Sequence, residues 1–209
     1  MNQIPVKTIE RLSLYRRILM DQSGKLNIFS HELAALANGT PAQGRRDLMI
    51  IGQEGSPRKG YNIAQLISGI GDILDAPDGQ RIALVGIGNL GRAILQYFMG
   101  RRPKLSISAA FDIDPDRVGR VIAGCRCYHI DEIAKVVKDE NITVGIITVP
   151  AEEAQAAANE LITAGVRGIV NFAPVRLRAP DSVYLSGLDI TTSIEKTAYF
   201  AKTNGINSR

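Results

Sequence analysis

The sequence predicts a small all-helical head joined to a doubly wound parallel α/β body. Three observations carry this. Up to about residue 75, apolar residues recur at helical spacing, and no run of β-branched residues occurs. From Arg81 onward, short Val- and Ile-rich runs alternate with helical stretches, the pattern of a parallel sheet with crossover helices. Between the two lies Ala76-Pro77-Asp78-Gly79, a turn-forming boundary.

Each element of the head follows from local signals. Ile9, Leu12, Tyr15, Ile18 and Leu19 mark a first helix that stops near Asp21-Gln22-Ser23-Gly24. Ser30 is the expected N-cap of a second, which carries Leu33 and Leu36 and closes at Asn38-Gly39. Thr40-Pro41-Ala42-Gln43 opens a third with a capping box and proline at the first helical position. A Gly-rich basic loop, IGQEGSPRKGYNI, follows, and helical spacing resumes through Ile63, Leu66, Ile67 and Ile70. Short helices followed by such a loop predict a winged helix-turn-helix.

In the body, RIALVG, LSISAAFD, VGIITVP and VRGIVNFAP read as buried parallel strands. Helices are expected near 89–99, 115–122, 130–138 and 151–164. The first strand runs directly into Gly86-Ile87-Gly88-Asn89-Leu90-Gly91, which opens a helix. In that context G-x-G-x-x-G is a dinucleotide fingerprint. Gly86 permits the tight turn, Gly88 the approach of a pyrophosphate, and Gly91 the packing of helix on strand. The second strand ends in Asp112, where an acid accepts from ribose hydroxyls and repels a 2′-phosphate, so NAD(H) is expected over NADP(H).

Composition excludes several classes. The 209 residues are 45% hydrophobic, enough for buried cores, with no run of about 18 apolar residues to span a membrane. The N-terminal segment lacks the apolar stretch of a signal peptide, so a cytoplasmic protein is expected. Net charge is +4, split evenly: 9 Lys/Arg face 7 Asp/Glu through Asp75, and 16 face 14 beyond it. Cys125 and Cys127 form a lone C-x-C with only two histidines in the chain, which argues against zinc and for reduced structural thiols.

Catalytic equipment is not visible. A dehydrogenase needs a proton-shuttling group and a substrate pocket. His129, the body's one histidine, is expected beside the sheet and away from its C-terminal crevice, and only about 35 residues follow Asn171-Phe172-Ala173-Pro174. A bound dinucleotide would then act as a signal, not a substrate. In the head, Gly44, Leu48 and Ile51 share one face of the third helix. Gln43, Arg45 and Arg46, with Arg58 and Lys59 at the loop tip, are the candidate DNA contacts. Two rivals stand beside this view. A small NAD-dependent oxidoreductase or a CoA-binding enzyme subunit would need a catalytic base or phosphohistidine. A protein-binding module would not need the paired basic clusters.

With these residues in place, the chain resembles the Rex family of redox-sensing transcriptional repressors. The motifs are P-x-x-T-x-x-R-L-x-x-Y at 5–15, RRDL at 45–48, GSPRKGYNI at 55–63, VGIGNLGRAI at 85–94, AFDIDPDRVG at 110–119, TVPAEEAQ at 148–155 and GVRGIVNFAPVRL at 165–177. The resemblance implies a winged-helix domain over 1–76, a Rossmann NAD(H)-binding domain over 77–188, and a C-terminal helix in 189–209, about Thr192–Lys202, exchanged between subunits of a homodimer. It further implies binding to an inverted-repeat operator, permitted by NAD⁺ and released by NADH. By position it assigns Gly86 to Gly91 and Asp112 to the dinucleotide, and Thr148, Val149, Pro150, Asn171 and Phe172 to its nicotinamide end. Arg17, Tyr97 and Asp189 would form a polar link between domains. Gly44 departs from the family, which usually has a β-branched residue there. A helix-interior glycine costs about 1 kcal/mol relative to alanine and is expected to forfeit a core contact, leaving the helix weaker or more mobile.

Overall fold

The structure is a computed structural model that describes residues 4–22, 24–100 and 104–204. It divides into two compact units, Met1–Pro77 and Asp78–Arg209.

The first unit holds four helices, α1 (Val6–Met20), α2 (Ser30–Leu36), α3 (Pro41–Ile50) and α4 (Ile63–Leu74). Two short antiparallel strands, β1 (Asn27–Ile28) and β2 (Tyr61–Asn62), pair across it. A bridge between Ser56 and Gly60 narrows the basic loop to a tip at Pro57-Arg58-Lys59, which is a wing in the expected place. Leu12, Tyr15 and Leu19 from α1, Leu33 from α2, Leu48 from α3 and Leu66 and Ile70 from α4 form one core. Most of the periodic residues of the sequence are thus buried; Ile9, Ile18 and Ile67 are half-buried, and Leu36 at the end of α2 is exposed. One cap differs by a residue: Ser30 is the first helical residue, and the Glu32 carboxylate reaches back to accept from the Phe29 N–H at 2.7 Å. Thr40 caps α3 as expected, accepting from Gln43 N at 3.3 Å.

The second unit is a seven-stranded sheet between helices. In chain order its elements are β3 (Gln80–Val85), α5 (Asn89–Phe98), β4 (Leu105–Asp112), β5 (Val121–Ile122), β6 (Cys125–His129), α6 (Ile133–Asp139), β7 (Val144–Ile147), α7 (Ala151–Thr163), β8 (Gly168–Asn171), β9 (Tyr184–Gly187) and α8 (Ile190–Asn204). The strand order is β5-β6-β4-β3-β7-β8-β9, parallel except for β5. Setting β5 aside, this is the 3-2-1-4-5-6 order of the Rossmann fold, which reverses direction between β3 and β7. Alternate residues of the central strands feed two cores: Ala83, Val85, Ala109 and Phe111 pack with α6 and α7, while Ile82, Leu84 and Ala110 pack with Leu95 of α5.

Two expectations are corrected here. No helix spans 115–122. Residues 115–119 form turns, Gly119 has φ +80°, and β5 then hairpins onto β6. His129 is not remote from the crevice: it ends β6 in register with Asp112, at the C-terminal edge of the sheet. Its ring accepts from the Asp131 N–H at 3.4 Å and caps the short 3₁₀ turn Ile130–Glu132, a structural use.

Candidate functional site

In the Rossmann unit, topology and glycine act together. The reversal of strand order brings the C-terminal ends of β3 and β7 side by side, so the glycine loop after Val85 lies against Thr148 and Val149. The Thr148 hydroxyl is placed to donate to the Gly86 carbonyl at 2.7 Å and to that of Val85 at 3.1 Å, which closes the crevice floor. Each loop glycine has a separate reason to be glycine. Gly86 has φ +93°, a region that side chains disfavour. A Cβ on Gly91 would stand 2.1 Å from the Gly86 carbonyl oxygen. A Cβ on Gly88 would meet nothing within 4 Å, because that Cα faces open space.

Gly88 is also the N-cap of α5 and supplies no side-chain cap. The first N–H groups of α5 therefore point from a helix N-terminus into that space, a cradle that fits a pyrophosphate. Ile87 contributes differently: its side chain is buried, and its N–H donates to Asp112 Oδ2 at 2.6 Å. Asp112 Oδ1 accepts from Asp114 N at 2.9 Å, and Arg117 Nη1 donates to Oδ2 at 2.9 Å. Burial alone would raise the Asp112 carboxyl; the hydrogen bonds from Asp114, Ile87 and Arg117 outweigh it and hold the group below its ordinary range. Since the folded value is the lower one, this stabilisation is present at neutral pH and is lost as pH falls through it.

The remaining assigned residues divide by what their side chains do. Val149 is half-buried against the loop, and Pro150 is exposed where α7 begins. Asn171 is buried and uses its whole amide on the next turn: Nδ2 donates to the carbonyls of Ala173 and Val175, and Oδ1 accepts from Ala173 N. It shapes that loop, while Phe172 packs at the edge of the core. Tyr97 is exposed on α5. Asp189 caps α8, accepting from Thr192 N at 2.9 Å.

In the head, Arg45 and Arg46 are exposed on α3 and Arg58 and Lys59 at the wing tip, so both basic clusters face solvent. Gln43 is half-buried, its side-chain oxygen close to Gly39. Arg17 is exposed on α1. Sequence reasoning missed Asp47. It lies 1% exposed between these arginines and the core, and accepts from Arg11 Nε at 2.6 Å, Arg11 Nη2 at 2.7 Å and the Tyr15 hydroxyl at 3.0 Å. Burial, with the Asp47 charge and hydrogen bond behind it, pushes the Tyr15 phenol up to about 12. The available signal was the i, i+4 pair Arg11 and Tyr15 opposite an acid on the apolar side of α3.

The expectation that Gly44 forfeits a core contact is overturned. A Cβ there would lie 2.8 Å from the Ser30 carbonyl oxygen and 3.0 Å from the Ala34 Cβ. The glycine forfeits no contact; it lets α2 and α3 approach more closely than any side chain allows.

Cys125 and Cys127 are both buried on β6. Burial pushes their thiols up to about 12 and about 11, each also disfavoured by a neighbouring negative charge. Both are therefore expected to resist a thiol reagent at pH 8 in the native protein and to react at once on denaturation. Fast stoichiometric labelling of the folded chain would contradict this burial.

Comparison with known proteins covers almost the entire chain. Residues 78–175 match the family described as "CoA binding domain" and residues 3–48 that described as "Putative DNA-binding protein N-terminus". The chain is 40% identical over 200 residues to the redox-sensing transcriptional repressor Rex of Syntrophobacter fumaroxidans, across 94% of this chain and 95% of that protein. It is 38% identical to the protein of the same name from Lactobacillus gasseri, across 95% and 94%. Among solved structures, RSP in complex with β-NAD⁺ and operator DNA superposes with a TM-score of 0.88 at 28% identity, covering 99% of this chain and 96% of that one. RSP in complex with β-NADH gives 0.84 at 27%, covering 99% and 98%.

Proposed function

Because the chain belongs to the Rex family of redox-sensing transcriptional repressors, we propose that it binds an operator through its head and is released when NADH occupies its body. The observation that carries this is one chain holding both an exposed basic recognition helix with its wing and a pyrophosphate cradle ending in Asp112. NAD(H) is a regulatory ligand in this proposal, and the protein is a regulator, not an enzyme. The dinucleotide supplies the signal through its nicotinamide ring, cationic when oxidised and neutral when reduced. The chain's residues bind and orient it: the α5 N-terminus holds the pyrophosphate, Asp112 the adenosine ribose, and Thr148 to Pro150 with the Asn171-shaped loop border the ring. Arg17, Tyr97 and Asp189 stay in the proposal as the polar link that reports the ring's state to the head.

A homodimer on an inverted repeat completes the scheme. The described residues of α8 are exposed for almost the whole helix, and Ile190, Ile194, Ala198 and Ala201 form an apolar stripe along it. Ile194→Asp is expected to turn the dimer into a monomer by light scattering, and a variant that stays dimeric would remove α8 from the interface. No helix among the described residues is long and apolar enough to cross a membrane. The cytoplasm, where chromosomal DNA meets the NADH pool, is the proposed location.

The deciding experiment is a titration of NADH into the chain on an operator selected from a randomised duplex library. Release by NADH and retention with NAD⁺ are expected; unchanged DNA affinity in both would end the sensor proposal. Arg46→Ala should weaken operator binding by about 1–3 kcal/mol, with NADH affinity within twofold of the parent. Equal losses of both would indicate misfolding in place of a lost DNA contact.

A further inference from the structure

The ribose end of the site carries one cation in addition to the acid. Asp112 is 7% exposed and Arg117, five residues on, is 32% exposed. The guanidinium donates from Nη1 to Asp112, and its Nε stands 3.0 Å from Asp114 Oδ2 as an ion pair. Its backbone is held as well: Arg117 N and Val118 N donate to the Asp114 carbonyl at 2.9 and 3.0 Å, and Gly119 N to that of Cys127 at 2.9 Å. The side chain thus leaves a tight turn directly over the end of β4.

Counting acceptors shows what this does. A carboxylate offers about four acceptor directions. Asp112 has three filled, by Ile87 N, Arg117 Nη1 and Asp114 N. One direction is left, so Asp112 has room for one direct hydrogen bond from a ribose hydroxyl, not two. The charge count changes too. Asp112 and Asp114 alone would present two negative charges to a 2′-phosphate; with Arg117 between them the cluster carries one. In nucleotide-binding folds of this type an acid selects the free ribose and a nearby arginine accommodates its phosphate. This chain holds both, with the acid occupying the arginine.

We propose that Arg117 sets the choice between dinucleotides with free and phosphorylated adenosine ribose, because Asp112 holds the guanidinium back from a 2′-phosphate it would otherwise bind. The proposal rests on Asp112 being the ribose acid. Asp112→Asn keeps an oxygen for Ile87 N and removes the charge hydrogen-bonded to Arg117, which leaves the guanidinium paired only with the half-exposed Asp114. A freed guanidinium makes charge-assisted, fork-shaped bonds to phosphate, so NADPH affinity should rise about tenfold or more while NADH affinity falls. In Asp112→Asn combined with Arg117→Ala, that gain should vanish. Arg117→Ala alone should widen the preference for NADH over NADPH about threefold or more, since it strips the only cation from the cluster.

The test is direct titration of each dinucleotide by calorimetry, with operator affinity and melting temperature checking that each variant folds. An NADPH gain that survives removal of Arg117 overturns the proposal and leaves Asp112 as the ribose acid. Variants of both residues that shift neither dinucleotide overturn the placement of the ribose itself. If Asp112→Asn does not fold, the Arg117→Ala preference decides alone, and an unchanged ratio refutes the proposal.

Discussion

Replacing Gly91 by alanine is expected to weaken NADH binding about a hundredfold, which corresponds to ~2.7 kcal/mol. The added methyl would be placed 2.1 Å from the Gly86 carbonyl oxygen, a backbone atom with no flexible end to yield. Either α5 lifts off the loop or the loop opens, and both spoil the alignment of helix N-terminus and turn that receives the pyrophosphate. Overpacking of this sort costs roughly 1–3 kcal/mol in well-packed sites, so a fall in melting temperature should accompany it. Gly88→Ala separates the two effects: its methyl enters open space, so stability should hold while the cradle is blocked. Fluorescence titration with NADH measures the loss, and operator binding without dinucleotide should survive in both variants because the head has its own core. Parental NADH affinity in Gly91→Ala would remove the glycine loop from the site.

Asp47→Ala should cost the head about 3 kcal/mol, the low end for breaking a buried ion pair. The side chain is 1% exposed, while that of Arg11 is 23% exposed and can regain some water. Tyr15 is fully buried and would lose the acceptor of its hydroxyl, with no route to solvent. Chemical denaturation followed by circular dichroism should show the head unfolding earlier, and operator affinity should fall while NADH affinity does not. Asp47→Asn should lie between, keeping an acceptor oxygen but not the charge. A stable Asp47→Ala head would show the network to be dispensable.

The sequence carried some of this plainly and hid the rest for definable reasons. The glycine loop and Asp112 were legible because backbone conformation and a ribose-binding acid each demand a particular residue at a set spacing. The strand Cys125–His129 was not, because its apolar and polar residues alternate and the other strands were recognised as continuous apolar runs. Asp114-Pro115 resembles a helix start, yet Arg117 is drawn to two carboxylates and Gly119 turns the chain left-handed. Gly44 shows the limit of propensity: its intrinsic cost is local, while its reason is the carbonyl of Ser30 on another helix. Asp47 was hidden inside a basic motif, where its neighbours invited a surface interpretation.

The buried Asp47 also determines how a head of this kind could be given a new operator. A helix presents a new side every 100° per residue, and a recognition helix held by apolar contacts alone can roll in its seat. Here a carboxylate on the inner side of α3 is gripped by two directional donors from Arg11 and one from Tyr15, which fixes the angle of roll as well as the depth. The outward bearings of Arg45 and Arg46 are set from behind, by atoms that never meet the duplex. Exchanging those outer side chains would rewrite which bases are read while the axle they turn on stays locked.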